Sequence, residues 1–296
     1  MALRTIKPFK YFQPSTLVEL LPLVEKFGSE GKIMAGGTDL VVQLKTREVP
    51  PLKYIFDIEN IEELHYIRDE GETLRIGSMV KLRTLKASPV IRKKTFILAE
   101  AVRSMATPQI RTMGTIGGNL CNASPGADTA PPLLSLGARL KILSTKGERI
   151  VPIENFFASV KRTALRSGEL VTEIIVPCQP DGYGGAFMKV GRRVGHDISV
   201  ANVAVVVKLK KDCVEDVRIA LGSVAPTPMR AIETEAFLKG KACDQGNITR
   251  AAEIASTEIR PISDIRASAE YRRDVVKSLI EMAIQRAAER IRSARW

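Results

Sequence analysis

Two short glycine-pair motifs set the strongest limits on how this chain can fold. The first, Ala35-Gly36-Gly37-Thr38-Asp39, directly follows the apolar pair Ile33-Met34, and the second is Thr115-Ile116-Gly117-Gly118-Asn119. Paired glycines let the backbone take positive φ and approach another group closely, because no Cβ is in the way. Such a turn can point several N–H groups at one anion, usually a phosphate. Each motif is therefore predicted to be an anion cradle at the end of a strand.

Two cradles in one domain fit a pyrophosphate that is held from two sides, which predicts a dinucleotide-binding protein, with FAD the favoured dinucleotide. No G-x-G-x-x-G motif opens a βαβ unit, so the site is not of the ordinary dinucleotide-binding type. After the second motif, the polar run from Ala123 ends in one carboxylate, Asp128. Pro131-Pro132 follow, and we expect them to stop any helix there.

Length and composition predict a globular protein of two domains. The chain has 296 residues, of which 45% are hydrophobic, enough for two cores. No apolar run approaches the roughly 20 residues of a membrane helix, and the N-terminus lacks the apolar stretch of a signal peptide. The four cysteines are scattered without a C-x-x-C pair, so we expect free thiols and no metal or cluster site. These features predict a cytoplasmic protein.

The net charge of +12 leaves the class of partner open. A basic chain can bind nucleic acid, contact an acidic protein or simply be well solvated. The basic residues are mixed with acidic ones, as in Arg272-Arg273-Asp274, and lack the interleaved aromatic residues of single-strand binders. A solvated surface is favoured and no nucleic acid is expected, although a pyrophosphate or an acidic partner subunit would also benefit from the charge.

The first part of the chain, about residues 1–57, is predicted to be a small α/β lobe. Thr16 and Glu19 have the spacing of a capping box at the start of a helix, which Pro22 should kink or restart. A strand then delivers the first glycine motif, and Asp39 is placed to cap the next helical turn. Tyr54 to Ile58 resembles the next strand.

A second lobe, about residues 58–178, and a C-terminal domain, residues 183–290, are predicted to follow. The second lobe begins with a hairpin whose turn is Asp69 to Glu72, continues with helical periodicity and ends in β-rich segments. Prolines and glycines cluster between Cys178 and Gly184, which predicts the domain boundary. The C-terminal domain begins with an antiparallel pair of strands about Lys211-Asp212 and ends in two helices, from Ile248 and from Tyr271.

These motifs resemble the FAD-binding, or medium, subunit of molybdenum hydroxylases, the family of carbon monoxide dehydrogenase and xanthine dehydrogenase. The glycine motifs and the run from Ala123 to Asp128 resemble its first domain, while Ala220 to Pro228 and Arg266 to Arg272 resemble its C-terminal domain. The resemblance implies an α+β fold. It consists of a two-lobed, non-Rossmann FAD-binding domain of the PCMH type, followed by an α+β C-terminal domain with an antiparallel sheet and helices.

The resemblance also implies a set of FAD-binding residues: Ile33, Met34, Ala35, Gly36, Gly37, Thr38, Asp39, Leu40, Thr115, Ile116, Gly117, Gly118, Asn119, Asp128, Val171 and Lys189. Backbone N–H groups of the two motifs, with the hydroxyls of Thr38 and Thr115, would hold the pyrophosphate. Asp128 would bind the polar part of the flavin, unless it only caps a turn. Val171 would pack near the ring, unless it is an ordinary core residue. Lys189 would favour the reduced anionic ring, unless it is a solvated charge.

The implied function is electron transfer within a complex. A large molybdopterin subunit oxidises the substrate, [2Fe–2S] clusters of a small subunit relay electrons, and FAD in this chain passes them to NAD⁺, a quinone or another acceptor. The implied assembly is a heterotrimer, often doubled. This chain needs no catalytic acid–base residue and no metal. Because Cys121 has no companion cysteines, no [4Fe–4S] cluster is expected, and the loop from Arg192 to Ile198 would border the ring. A free-standing flavoprotein oxidase is the alternative.

Overall fold

The first lobe is a three-stranded parallel sheet with two helices. The structure is a computed structural model that describes residues 5–179, 182–193 and 197–293. The elements of the first lobe are β1 (Lys10–Phe12), α1 (Leu17–Phe27), β2 (Gly31–Met34), α2 (Leu40–Thr46) and β3 (Tyr54–Asp57), with the strand order β1-β3-β2. The Glu19 N–H donates to the Thr16 hydroxyl at 3.2 Å, which confirms the predicted cap. Helix α1 nevertheless continues through Pro22 instead of restarting, because Pro22 faces solvent, where water can satisfy the carbonyl that lacks a donor.

The second lobe is a five-stranded antiparallel sheet covered by six short helices. Its strands are β4 (Ile67–Asp69), β5 (Thr73–Gly77), β6 (Arg139–Ser144), β7 (Gly147–Pro152) and β10 (Leu170–Pro177), in the order β4-β5-β10-β6-β7, and β8 (Phe157–Ser159) pairs separately with β9 (Arg162–Thr163). The helices are α3 (Leu82–Ala87), α4 (Pro89–Lys94), α5 (Phe96–Ser104), α6 (Pro108–Met113), α7 (Ile116–Cys121) and α8 (Ala130–Ser135). Strands β4 and β5 pair antiparallel, so the predicted hairpin is confirmed.

Two predictions about helix ends are wrong. Pro131 and Pro132 do not stop a helix but lie in the first turn of α8. Proline is tolerated there, because the first N–H groups of a helix have no partner within the helix. Asp39 stands at the N-terminus of α2, but its side chain makes no capping hydrogen bond. Its own backbone is already helical, whereas a capping side chain requires an extended residue.

The C-terminal domain is a four-stranded antiparallel sheet with helices on one face. Its elements are β11 (Tyr183–Val190), β12 (Ala201–Lys210), β13 (Cys213–Gly222), β14 (Met229–Arg230), α9 (Ile232–Leu238), α10 (Gln245–Glu258) and α11 (Ala269–Ser293). Lys211 and Asp212, both at positive φ, connect β12 to β13 as predicted. Val203 and Val205 pack with α11, whereas Ala204 packs against Ala101 of α5, so both faces of the sheet are buried. That burial explains the continuous apolar run of β12.

Candidate functional site

A cavity of about 990 Å³ lies between the two lobes of the first domain and reaches the C-terminal domain. Its volume is at the upper end of the range for small-molecule sites, roughly 300–1,000 Å³. It is lined by Ile33 to Leu40 from the first glycine motif, by Thr115, Gly117, Gly118 and Asn119 from the second, and by Asp128 and Val171. All predicted cofactor-binding residues except Ile116 and Lys189 therefore line one cavity.

The first glycine motif forms an open turn with unpaired amides. Gly37 has φ of +67°, a conformation that side chains with a Cβ rarely adopt. In the part of the chain that the structure describes, the N–H groups of Gly36, Gly37, Thr38 and Asp39 donate no hydrogen bond, and the Thr38 hydroxyl has no partner. A Cβ on Gly36 would lie 1.9 Å from the Met113 carbonyl oxygen, so only glycine fits there. This turn can hold an anion with its amides.

The second motif is built differently, and the prediction that it presents its amides is wrong. Its glycines lie in helix α7 and neither has positive φ. The N–H groups of Ile116 and Gly117 donate to the carbonyls of Val80 and Ser78, at 3.1 and 2.9 Å. The Gly118 N–H donates to the Thr115 hydroxyl at 3.0 Å, and the Asn119 N–H donates to the Thr115 carbonyl. These amides have no free hydrogen for a ligand.

Glycine is required in the second motif by packing. A Cβ on Gly117 would lie 2.6 Å from the Ser78 Cβ and 2.7 Å from the Ser78 carbonyl oxygen. The preceding Ile116 is fully buried in the core of the second lobe and does not line the cavity. The motif therefore forms a wall of the cavity, to which it offers the proton of the Thr115 hydroxyl, since that oxygen already accepts from Gly118.

Residues of the C-terminal domain hold the Asp128 carboxylate in place. Its carboxylate accepts from the Lys189 ammonium at 2.8 Å, the Ser199 hydroxyl at 2.5 Å and the Asn202 side-chain amide at 2.7 Å. The Asp128 residue is only 4% exposed. A carboxylate has about four acceptor sites, so one remains for a group in the cavity. The capping role considered for Asp128 is replaced by this network between the domains.

Lys189 and Val171 have different relations to the cavity. The Lys189 ammonium contacts Asp128 and the Asp197 carbonyl, at 2.8 and 3.2 Å, and is not a solvated charge. It lies behind Asp128 and does not line the cavity. Val171 is buried in strand β10 and does line it. In the loop expected to border a flavin ring, Asp197 and Ile198 line the cavity, while residues 194–196 lie outside the described part of the chain.

One side of the cavity was not predicted from the sequence. It is formed by the hairpin of β8 and β9 and by the following loop, which contribute Lys161, Arg162, Thr163, Leu165, Arg166, Ser167, Gly168 and Glu169. Lys161 reaches back to the α7 end, where its ammonium donates to the Asn122 side-chain oxygen at 3.0 Å. The basic pair Lys161-Arg162, between two β-rich segments, is the signal that could have identified this side.

Cys121, the last residue of α7, also lines the cavity. Burial raises the pKa of its thiol to about 12, so the thiol stays protonated at neutral pH. Among the described residues, no three histidine, cysteine, aspartate or glutamate side chains are grouped so that they could hold a metal ion. In the same part of the chain, no helix combines the length and apolar character needed to cross a bilayer.

The cavity fits a dinucleotide. Four unpaired amides in one turn match the oxygen atoms of a pyrophosphate, and Lys161, Arg162 and Arg166 add positive charge elsewhere in the lining. Apolar groups such as Val171 and Leu165 provide surface for a planar ring. The arrangement contains unpaired backbone donors and no acid–base pair, and is suited to binding a cofactor.

Two family models together match nearly the whole chain. The FAD binding domain in molybdopterin dehydrogenase matches residues 7–179. The CO dehydrogenase flavoprotein C-terminal domain matches residues 186–287.

Individual relatives agree with these matches. The carbon monoxide dehydrogenase medium chain of Hydrogenophaga pseudoflava is 34% identical, over 94% of this chain and 96% of its own length. The glyceraldehyde dehydrogenase medium chain of Sulfolobus acidocaldarius is 36% identical, over 95% of this chain and 98% of its own length. A solved structure of the Hydrogenophaga enzyme, which lacks the Mo-pyranopterin moiety, superimposes with a TM-score of 0.94 at 35% identity, covering 97% of this chain and 99% of the other.

The relatives are subunits of molybdenum-containing dehydrogenases, which favours the predicted subunit role over a free-standing oxidase or a nucleic-acid-binding protein. The two-lobed first domain and the α+β C-terminal domain agree with the predicted fold. The chain belongs to the FAD-binding medium subunits of the molybdenum hydroxylase family, and is an oxidoreductase subunit whose cofactor is FAD.

Proposed function

We propose that this chain holds FAD with the pyrophosphate against the open turn Gly36 to Asp39, so that the flavin lies toward Val171 and Asp128. The carrying observation is the set of unpaired N–H groups in that turn, which together can bind an anion. FAD, when bound, supplies the capacity to take electrons from [2Fe–2S] clusters of a partner and to pass them to an acceptor such as NAD⁺ or a quinone. The chain's own residues bind FAD and orient it.

Individual residues have separate tasks in this proposal. The hydroxyls of Thr38 and Thr115 donate to the pyrophosphate, since neither proton has a partner in the described residues. Asp128 accepts from the polar edge of the flavin. Lys189 is a positioning residue, because its ammonium contacts Asp128 and fixes the carboxylate. Val171 provides an apolar contact for the ring.

We further propose that the complex is a doubled heterotrimer with a large molybdopterin subunit and a small [2Fe–2S] subunit, working in the cytoplasm. The medium-chain names of the relatives support a complex of several subunits. Within the chain, we propose an FAD-binding domain of residues 1–178, with lobes of about 1–57 and 58–178, and a second domain of residues 183–290. The separate sheets of the three units support this division.

A matched pair of glycine variants tests the pyrophosphate turn. Gly37 and Gly71 both have positive φ, of +67° and +81°, and a Cβ at either position has room. Alanine therefore introduces similar backbone strain at both positions, about 1 kcal/mol. Only Gly37 lies in the cavity. We expect Gly37→Ala to weaken FAD binding about tenfold, which corresponds to the loss of one charge-assisted hydrogen bond. We expect Gly71→Ala to leave FAD binding unchanged.

FAD affinity is measured by titrating the FAD-free full chain and following the flavin fluorescence, with thermal unfolding as the check on folding. Equal FAD affinity in the two variants would overturn the assignment of the pyrophosphate to the first motif. Absence of any FAD binding by the wild-type chain in the assembled complex would overturn the proposed function itself.

A further inference from the structure

A second cleft, of about 550 Å³, lies where helices α3, α4 and α5 of the first domain meet β11 and α11 of the C-terminal domain. It is separate from the large cavity. Arg103 of α5 lines the cleft, whereas Met105 and Ala106, just beyond the end of that helix, line the cavity. The two spaces share no lining residue, so the cleft has no part in the site described above.

The lining of the cleft has an excess of positive charge over negative charge. Glu100 is the carboxylate among its lining residues, and it is already ion-paired with Arg290 and Arg286 of α11. Lys86, Arg92 and Arg103 also line it, and none of them makes an ion pair within the described residues, although the Arg92 guanidinium donates to the Ala87 carbonyl at 3.2 Å. These three side chains are exposed at the rim, and cations that are grouped around one cleft attract an anion more strongly than the same charges spread over a flat surface.

The floor of the cleft is apolar and aromatic. Phe96, Ala99 and Arg103 are three and four residues apart on α5, so they share one face of the helix. Tyr183 of β11 contributes a second ring to the lining. The Arg290 guanidinium lies 4.9 Å from the centre of the Phe96 ring, and it also donates to the Gly185 carbonyl. The floor is therefore fixed by packing between the two domains, while Lys86, Arg92 and Arg103 at the rim have no carboxylate partner among the described residues.

We propose that this cleft binds a small phosphorylated molecule that carries a planar apolar group, of which a nucleoside diphosphate is the simplest example. The phosphates contact Arg92, Arg103 and Lys86, because a guanidinium offers two parallel N–H groups to phosphate oxygens. The planar group lies on the aromatic floor. The volume of the cleft is within the usual range for small-molecule sites, roughly 300–1,000 Å³, which favours such a ligand over a protein segment.

The test measures ADP binding to the FAD-saturated full chain by calorimetry, so that the large cavity is already occupied. We expect one ADP per chain, and an affinity at least tenfold lower in the double variant Arg92→Gln/Arg103→Gln. The control is Arg139→Gln/Arg273→Gln, which also removes two exposed arginines without ion pairs and lies outside the cleft. This control should bind ADP like the wild-type chain. FAD fluorescence and the melting temperature verify that each variant is folded and loaded.

The proposal would be overturned by no ADP binding, by equal weakening in the two double variants, or by tighter binding of an acidic peptide such as decaglutamate than of ADP. Adenosine and inorganic pyrophosphate separate the contributions of ring and charge. ADP binding more tightly than either fragment supports a floor and a rim that act together. Pyrophosphate binding as tightly as ADP would overturn the role of the aromatic floor. Since FAD is titrated separately, failure here is distinguishable from failure of the FAD assignment.

Discussion

The two glycine-pair motifs are nearly alike in sequence but differ in what their backbones do. In the first, Gly37 has positive φ and the N–H groups from Gly36 to Asp39 have no partner in the described chain. In the second, Gly117 and Gly118 are helical, and the corresponding amides are bonded to Ser78, Val80 and Thr115. The first motif is an open cradle, while the second is a packed wall of the same cavity.

The difference shows that a glycine pair signals close approach without identifying what approaches. Gly117 is in contact with the Ser78 backbone, because Thr115 pairs with Lys81 as an isolated antiparallel bridge. That bridge brings the segment before α3 against the start of α7 and uses the amides that a ligand would need. At the first motif, Gly36 also lies against the Met113 backbone, but no carbonyl of the described chain accepts from the amides of Gly36 to Asp39, so these amides remain available for a ligand.

The largest expected effect comes from Gly117→Val. The added side chain would overlap both the Cβ and the carbonyl oxygen of Ser78, and backbone cannot move aside as a flexible side chain can. We expect a loss of about 4 kcal/mol in the free energy of unfolding, above the usual range for overpacking. Urea denaturation, followed by far-UV circular dichroism, measures it.

Gly246→Val is the matched control for Gly117→Val. Gly246 is also the second residue of a helix, α10, and a Cβ there would meet only a side-chain oxygen of Asp244 at 3.6 Å. We expect its unfolding free energy to change by less than about 0.5 kcal/mol. A Gly117→Val protein with wild-type stability that has lost FAD would contradict the comparison, since the second motif would then be a cradle as well.

Asp128→Asn tests whether contacts with the C-terminal domain hold the segment from Ala123 to Asp128 in place. The variant keeps the shape of the side chain but leaves the buried Lys189 ammonium without a counter-charge. Removing one partner of a buried ion pair costs about 3 kcal/mol. The exposed pair Lys277–Asp274 is the control, and Asp274→Asn should change stability by less than about 0.5 kcal/mol. Similar losses from the two variants in urea denaturation would show that Asp128 is not a structural link.

The two threonine variants should both weaken FAD binding severalfold, because both hydroxyls donate to the pyrophosphate in the proposed function, but they should differ in their effect on stability. Thr115 caps α7, so Thr115→Val should lower the free energy of unfolding by about 1 kcal/mol. Thr38 has no partner in the described chain, so Thr38→Val should leave stability unchanged and weaken FAD binding severalfold. Thermal unfolding and FAD titration of both variants check this. A reversed pattern, with Thr38→Val destabilising and Thr115→Val neutral, would exchange the roles of the motifs.

The sequence predicted those features that depend on neighbouring residues. The cap at Thr16, the hairpin of β4 and β5 and the pairing about Lys211-Asp212 follow from local turn chemistry and periodicity, and the structure confirms them. Helix α9 was missed, because its seven residues offer too few turns for a periodic pattern. The amphipathic helices α10 and α11 are longer and were predicted.

Most residues of the candidate site were predicted from the sequence, but the contacts that hold them in place were not. Most predicted residues line one cavity, since the motifs themselves are distinctive. The contact between Gly117 and Ser78, and the pairing of Asp128 with Lys189, join residues distant in sequence. No local pattern encodes such pairings, because they are decided by how the lobes and domains pack. The same reasoning explains why the wall from Lys161 to Glu169 was not predicted.

The smallest effect is expected at Cys121, the last residue of α7, which is the helix that contains the second glycine motif. Burial raises the pKa of its thiol from the ordinary value of 9.0 to about 12, so the unfolded chain releases this proton at lower pH than the folded chain. The contribution to stability is therefore complete below about pH 9 and decreases as the pH rises toward 12. Cys121→Ala should remove this part of the pH dependence, as urea denaturation at pH 7 and pH 10 would measure. An unchanged pH dependence would show that the thiol is solvated in the folded chain and that the second motif is less closed than its hydrogen bonds indicate.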